Sequence, residues 1–207
     1  MNKLIAFMII IGIGLIAFKI SRTNNWSFAE RTENTTLSDQ ERYNKAFNRV
    51  KSLVENKKKY NEEIAFLLDM RRPSGRNRFF VVDLQNNRIL DQGLVAHGSG
   101  SETGKAGQLH FSNTENSYAT SLGMYSIGPS YNGHFGKAYK LYGLEDSNSN
   151  AYSRNIVLHK YNSMPYDEQV ASICLSQGCP MVNVKFYERL QAVIDPSPKQ
   201  IILTIYY

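Results

Sequence analysis

From Arg78 onward the chain is cut into short runs rich in β-branched and aromatic residues: FFVVDL, RILDQGLVAH, GMYSIG, RNIVLHKY and QIILTIYY. Asn, Gly and Ser clusters such as Gln85-Asn86-Asn87 separate them, so each run reads as a strand and each cluster as a turn. The C-terminal two thirds is therefore mainly β. One segment breaks the pattern: VKFYERLQAVI carries Phe186, Leu190 and Val193 on a single stripe, which predicts a helix that stops at DPSP, residues 195 to 198.

Upstream, Ser38 with Glu41 forms a capping box, and Tyr43, Phe47, Val50 and Val54 recur at helical spacing. An amphipathic helix from 38 to about 57 follows, with packing as its purpose. Glu62 to Asp69 reads as a short helical or extended piece, and RRPSGR, residues 71 to 76, as a turn-rich joint. Residues 98 to 153, rich in Gly, Ser, Asn and Tyr, read as an extended loop region of the kind that carries function. A length of 207 residues fits one core with appendages, and 42% hydrophobic with 20% charged residues is a globular composition. The net charge of +6 is spread thinly. Its densest run, Lys57-Lys58-Lys59, fits a solvated helix end, and no nucleic-acid motif accompanies it, so nucleic acid is not an expected partner.

The N-terminus has another character. Met1-Asn2-Lys3 leads into LIAFMIIIGIGLIAF, residues 4 to 18, which holds no charge before Lys19 and Arg22. This is the pattern of an export signal or a signal anchor. With no clean small-x-small cleavage site after it, an uncleaved inner-membrane anchor is favoured, and the rest of the chain is expected in the periplasm or otherwise outside the cytoplasm. Residues 21 to 37 are polar and read as a linker.

Both cysteines fall in CLSQGCPMVN, residues 174 to 183. A thiol attacks a carbonyl as thiolate, so a nucleophilic cysteine needs a base nearby and donors for the developing oxyanion. In NIVLHKY, strand alternation sets Ile156 and Leu158 on one face and Val157 with His159 on the other, which lets the imidazole face a site. Gly178 allows close backbone approach at the turn before Cys179, and a helix starting near 180 to 183 would favour the thiolate there. An inert buried sulfur and a structural histidine fit the same residues. Cys174 and Cys179 could close a small disulfide loop, which in an exported chain stays open as an alternative, with Cys174 favoured as a free thiol. His97, His110 and His134 lack metal-ligand spacing, so neither a metal nor another cofactor is expected.

His159 followed at sixteen residues by SQGC (176 to 179) resembles the signature of the L,D-transpeptidase catalytic domain, the YkuD-like family, written as His, fourteen to seventeen residues, Ser or Thr, His-Gly-Cys. HGSGS, FSN, SLGMY, GLE, RNIVLH and SQGCP occur in the order seen in its murein L,D-transpeptidase branch, and the resemblance covers roughly residues 60 to 207. It implies a β-sandwich with a few helices, in which Cys179 is the nucleophile, His159 the base, and the amides around Gly178 and Cys179 the oxyanion donors. Ser176 would shape the turn. The substrate would be a peptidoglycan stem tetrapeptide, the intermediate a thioester, and the product a 3-3 crosslink.

This chain departs from the pattern at Gln177, where the family has its second histidine, and after the cysteine, where CPMVN lacks a nearby arginine. Carboxylate recognition is then sought at Arg154, His97 or Asn113, groove lining at Tyr125 and Tyr131, and a further substrate contact at Gln177. Three outcomes stay open: transpeptidase, carboxypeptidase or hydrolase of the same bonds, and a wall-binding module without chemistry. The layout is a signal segment over 1–22, a linker over 23–37, a helical arm over 38–60 and a catalytic domain over 61–207, as a monomer.

Overall fold

The computed structural model describes the backbone from Trp26 to Tyr207 and side chains from Asp39 onward, so the expected signal segment lies outside the described residues. The chain divides into Met1–Thr35 and Thr36–Tyr207, and the second unit is the one that follows.

Helix α1 spans Trp26–Asn56. It begins upstream of Ser38, where the capping box predicts its start, because neither glycine nor proline stands between Trp26 and that serine to stop it. Strands follow as β1 (Tyr60–Asp69), β2 (Phe79–Asp83), β3 (Arg88–Gly93), β4 (Val95–Ala96), β5 (Gly123–Gly133), β6 (Gly136–Gly143), β7 (Val157–Lys160), β8 (Met181–Val182) and, after helix α2 (Val184–Ile194), β9 (Gln200–Tyr206). Glu62 to Asp69, read as helical or extended, is thus strand. So is Gly136–Gly143, inside the region read as loop, because Tyr139 and Leu141 are buried between β5 and β7.

Among the described residues the strands form one sheet in the order β3-β2-β1-β9-β5-β6-β7-β8-β4. Only Leu94 joins β3 to β4, yet these strands stand at opposite ends of that order. The sheet must therefore curl until its two edges meet, which is how it becomes sandwich-like and encloses a core. Its concave face holds Phe66, Val81, Tyr125, Leu141, Leu158, Val182 and Leu203 together with Phe186, Tyr187 and Leu190 of α2. Asn183 caps α2 by accepting from the Lys185 amide at 2.8 Å.

Strand alternation sends the other set outward. Ala65, Leu67, Phe80, Val82 and Ile202 meet Phe47, Val50 and Val54 of α1, so that helix covers the convex face along the stripe its spacing predicts. Each such side chain, fully buried, contributes roughly 1.5–3 kcal/mol of transfer free energy. At the β2–β3 turn Asp83 accepts from the Gln85 and Asn86 amides at 2.9 and 3.0 Å, and Asn87 takes φ 48°, as its turn cluster requires.

Candidate active site

The site forms where β7 meets the segment leading into β8. The two run parallel, with His159 opposite Met181, so the residues before Met181 pass beside Val157. The Val157 amide donates to Cys179 Sγ at 3.4 Å, and the thiol itself points at the Asn155 carbonyl, 3.7 Å away. Ile156 and Leu158 enter the core while Val157 and His159 face a cavity of about 750 Å³, which is the alternation NIVLH implies.

Cys179, His159, Ser176 and Gln177 all line that cavity. His159 Nδ1 lies 3.0 Å from the Lys160 carbonyl. A carbonyl only accepts, so the ring proton sits on Nδ1 and Nε2 is left with its lone pair. The imidazole is held from one face by Phe135, whose ring stacks on it at 5.0 Å and 18°, and Phe135 in turn meets Tyr161 edge-on at 5.6 Å. Burial draws the His159 pKa down, partly offset by the Lys160 hydrogen bond, so the ring is neutral at rest.

Burial likewise pushes the Cys179 thiol up, against a smaller opposing pull from the Val157 amide and the charges of Arg154 and Lys140. Burial thus favours the neutral thiol, the opposite pull to the one a helix end would exert on the thiolate. Nor does a helix end assist it, since α2 starts only at Val184, beyond β8. Cys179 and His159 share no hydrogen bond among the described residues.

Ser176 fixes the turn. Its amide donates to the His97 carbonyl at 2.9 Å, its Oγ accepts from the Gly178 amide at 3.1 Å, and the hydroxyl donates to the Cys179 carbonyl at 2.7 Å. With that hydroxyl spent, it does not orient His159. The Gly178 amide is spent too, which leaves the Gln177 and Cys179 amides as the ones without a partner among the described residues. Gly178 has φ 110°, and a Cβ there would lie 2.8 Å from the Ala119 carbonyl oxygen, so no other residue fits without strain.

Four expected substrate contacts do not line this cavity. Tyr125 is fully buried, its hydroxyl donating to the Ser121 carbonyl at 2.7 Å, and burial pushes its pKa up to about 12. Asn113 ties its loop to Asp146 and Ser149 through 2.9 and 3.1 Å hydrogen bonds. Arg154 spends its terminal nitrogens on Ser112 O, Ser121 Oγ, Ser117 Oγ and Ala119 O, at 2.9, 3.2, 3.2 and 2.6 Å, which commits it to bracing the loop against Gly178. His97 is 3% exposed and bonded on both ring nitrogens, to Arg78 and Glu102. In their place the cavity is lined by Tyr131, His134 and Phe135 of the β5–β6 hairpin, and by Tyr161 and Leu175. Of these, Tyr131 is the one the sequence reading names as groove lining, and the aromatic content of the hairpin is the signal for the rest.

Cys174 also lines the cavity, as a free thiol whose Sγ lies 3.2 Å from Met164 Sδ. Among the described residues no group of three His, Cys, Asp or Glu side chains is placed to hold a metal, and no helix is long and apolar enough to cross a membrane.

The curled mixed sheet thus brings a thiol and an imidazole to one cleft. The chain belongs to the L,D-transpeptidase catalytic domain family, whose model matches residues 34–206. Membership ties it to peptidoglycan-related function. Among solved structures it is similar to the helical cell shape determining protein Pgp2 from Campylobacter jejuni, at 13% identity and a TM-score of 0.46, over 69% of this chain and 46% of that one. The chain thus spans less than half the length of that protein. No curated protein matches it in sequence.

Proposed function

We propose that the chain is a cysteine L,D-transpeptidase acting on peptidoglycan stem peptides outside the cytoplasm. The observation that carries the reading is that Cys179 and His159 line one cavity, with the imidazole proton fixed on Nδ1 and Nε2 available as base.

In this reading the Cys179 thiol passes its proton to His159 Nε2 as sulfur attacks the carbonyl between an L-centre and the following D-alanine. The oxyanion of the tetrahedral intermediate is received by the Cys179 and Gln177 amides, and such a donor is worth about 2.7–4 kcal/mol of barrier. Collapse breaks the C–N bond, the imidazolium returns the proton to the departing amine, and a thioester remains. An acceptor amine then attacks, losing its proton to Nε2, and the thiol leaves reprotonated. An amide replaces the thioester, giving a 3-3 crosslink. Arg154 and Lys140 supply positive potential near the sulfur throughout. The uncleaved N-terminal anchor and the monomeric state belong to the same proposal.

The test is incubation of the full chain with disaccharide tetrapeptide, followed by mass analysis. Crosslinked dimer, absent with Cys179→Ala, is the expected product. Tripeptide alone would replace crosslinking by hydrolysis, and unchanged substrate would leave a wall-binding module.

A further inference from the structure

A second cavity, of about 400 Å³, lies between the Arg71–Pro73 turn and the Gly104–Leu109 loop. Its charged lining is lopsided: Arg71, Arg72, Arg78 and Lys105 face a single carboxylate, Glu102. Arg78 makes this unusual, because it is 1% exposed and still a cation; burial draws its pKa down only to about 10. Its guanidinium donates to the Val95 carbonyl at 2.9 and 2.7 Å and to the Arg72 carbonyl at 3.2 Å, and Nη2 lies 2.8 Å from His97 Nδ1. Those partners are neutral, and no carboxylate stands within ion-pair distance of Arg78 among the described residues.

Asp69 and Glu102 favour the charge only from beyond direct contact, and a buried charge without a contacting counter-charge is costly, so the cavity beside it is where an anion would gain most. Glu102 does not fill this role directly. Since Arg78 donates to His97 Nδ1, the ring proton is on Nε2, and that N–H is donated to Glu102 at 2.6 Å. Across the cavity Lys105 is exposed and has no side-chain partner among the described residues. Gly104 and Gly107 flank it with φ 73° and 71° and nothing within 4 Å of a Cβ position, leaving the loop backbone open to a ligand.

We propose that this cavity is a second, anion-binding site, taking a carboxylate or phosphate group on Arg78, Arg71 and Lys105. Arg78, most of whose N–H groups are already donated to the protein, supplies chiefly positive charge, while the exposed Arg71 guanidinium and Lys105 ammonium supply donors to the oxyanion. The site is separate from the thiol cavity and does not depend on the chemistry proposed there, although the His97 carbonyl that holds the Ser176 amide at 2.9 Å stands between them.

The test is calorimetric titration of the full chain with inorganic phosphate and, separately, with N-acetyl-D-alanine, each against chloride at matched ionic strength. Saturable binding of at least one is expected, weakened by about tenfold or more in a Lys105→Ala/Arg71→Ala double variant and unchanged in Cys179→Ala. Both replaced side chains are exposed, so the fold is retained. The tighter probe distinguishes a phosphate ligand from a carboxylate one. No saturable binding, an equal response to chloride, survival of binding in the double variant, or its loss in Cys179→Ala would each overturn the proposal.

Discussion

Gly178→Ala is the sharpest perturbation of the turn that carries the thiol. At φ 110° a side chain is strained, at a cost of about 1–3 kcal/mol. The added Cβ also meets the Ala119 oxygen at 2.8 Å, Ile156 Cδ1 at 3.3 Å and Arg154 Nη2 at 3.4 Å. That oxygen cannot retreat freely, because it accepts the 2.6 Å hydrogen bond from Arg154. Overpacking of this kind adds about 1–3 kcal/mol, for a total of about 2–6 kcal/mol. In a chain of this size the melting temperature should fall by roughly 5–20 °C. Whatever relief the chain finds must move the Gly178 amide, and with it the Ser176 bond that sets the Cys179 carbonyl. Thermal unfolding and thioester formation, read as a mass shift with an acylating β-lactam, are the assays. A variant that melts within 2 °C of wild type and acylates at the same rate would refute the claim that this backbone position sets the thiol.

Three further outcomes are expected. Burial opposes charge on both groups, so Cys179 alkylation by iodoacetamide should have its midpoint above the ordinary thiol value of about 8.5, while the acid limb of kcat/KM should lie below the ordinary imidazole value of about 6.5. Arg154→Met should cost about 2–3 kcal/mol in urea unfolding and move the alkylation midpoint further up, because a charge that lowers the thiol pKa is gone. Phe47→Ala, on the convex face, should cost about 3–5 kcal/mol and leave the alkylation midpoint unchanged.

Much of this architecture is legible because its signals are local. The stripe of Phe186, Leu190 and Val193 ahead of DPSP defines α2, and the alternation in NIVLH assigns Val157 and His159 to one side of β7. Where the signal is not local it fails. GKAYKLYG is a strand because β5 and β7 flank it, and nothing inside the segment says so. The same holds for side chains: Arg154 and Ser112 are 42 positions apart, and Arg78 and His97 are 19 apart. A polar residue advertises that it needs partners but not whether ligand or backbone provides them, so His97, Asn113 and Arg154 look alike in the sequence and differ only in the fold.

The raised thiol and lowered imidazole are two effects of one cause. A cleft walled by Phe135, Tyr161 and Met181 disfavours charge on either group, and so favours the neutral pair over thiolate–imidazolium. An ion pair at rest would be reactive toward any electrophile that reached the sulfur. In the proposed mechanism a neutral pair would be nucleophilic only while a carbonyl is being attacked, when negative charge would pass from sulfur to an oxygen held by backbone amides and the proton would arrive on Nε2. The Arg154 and Lys140 charges favour the anionic side of that transfer without tipping the resting balance. Under the proposed mechanism selectivity would come from the substrate's ability to place a carbonyl against the Cys179 and Gln177 amides, and a small alkylating agent, unable to do so, should react slowly at neutral pH where a well-placed acyl donor reacts fast.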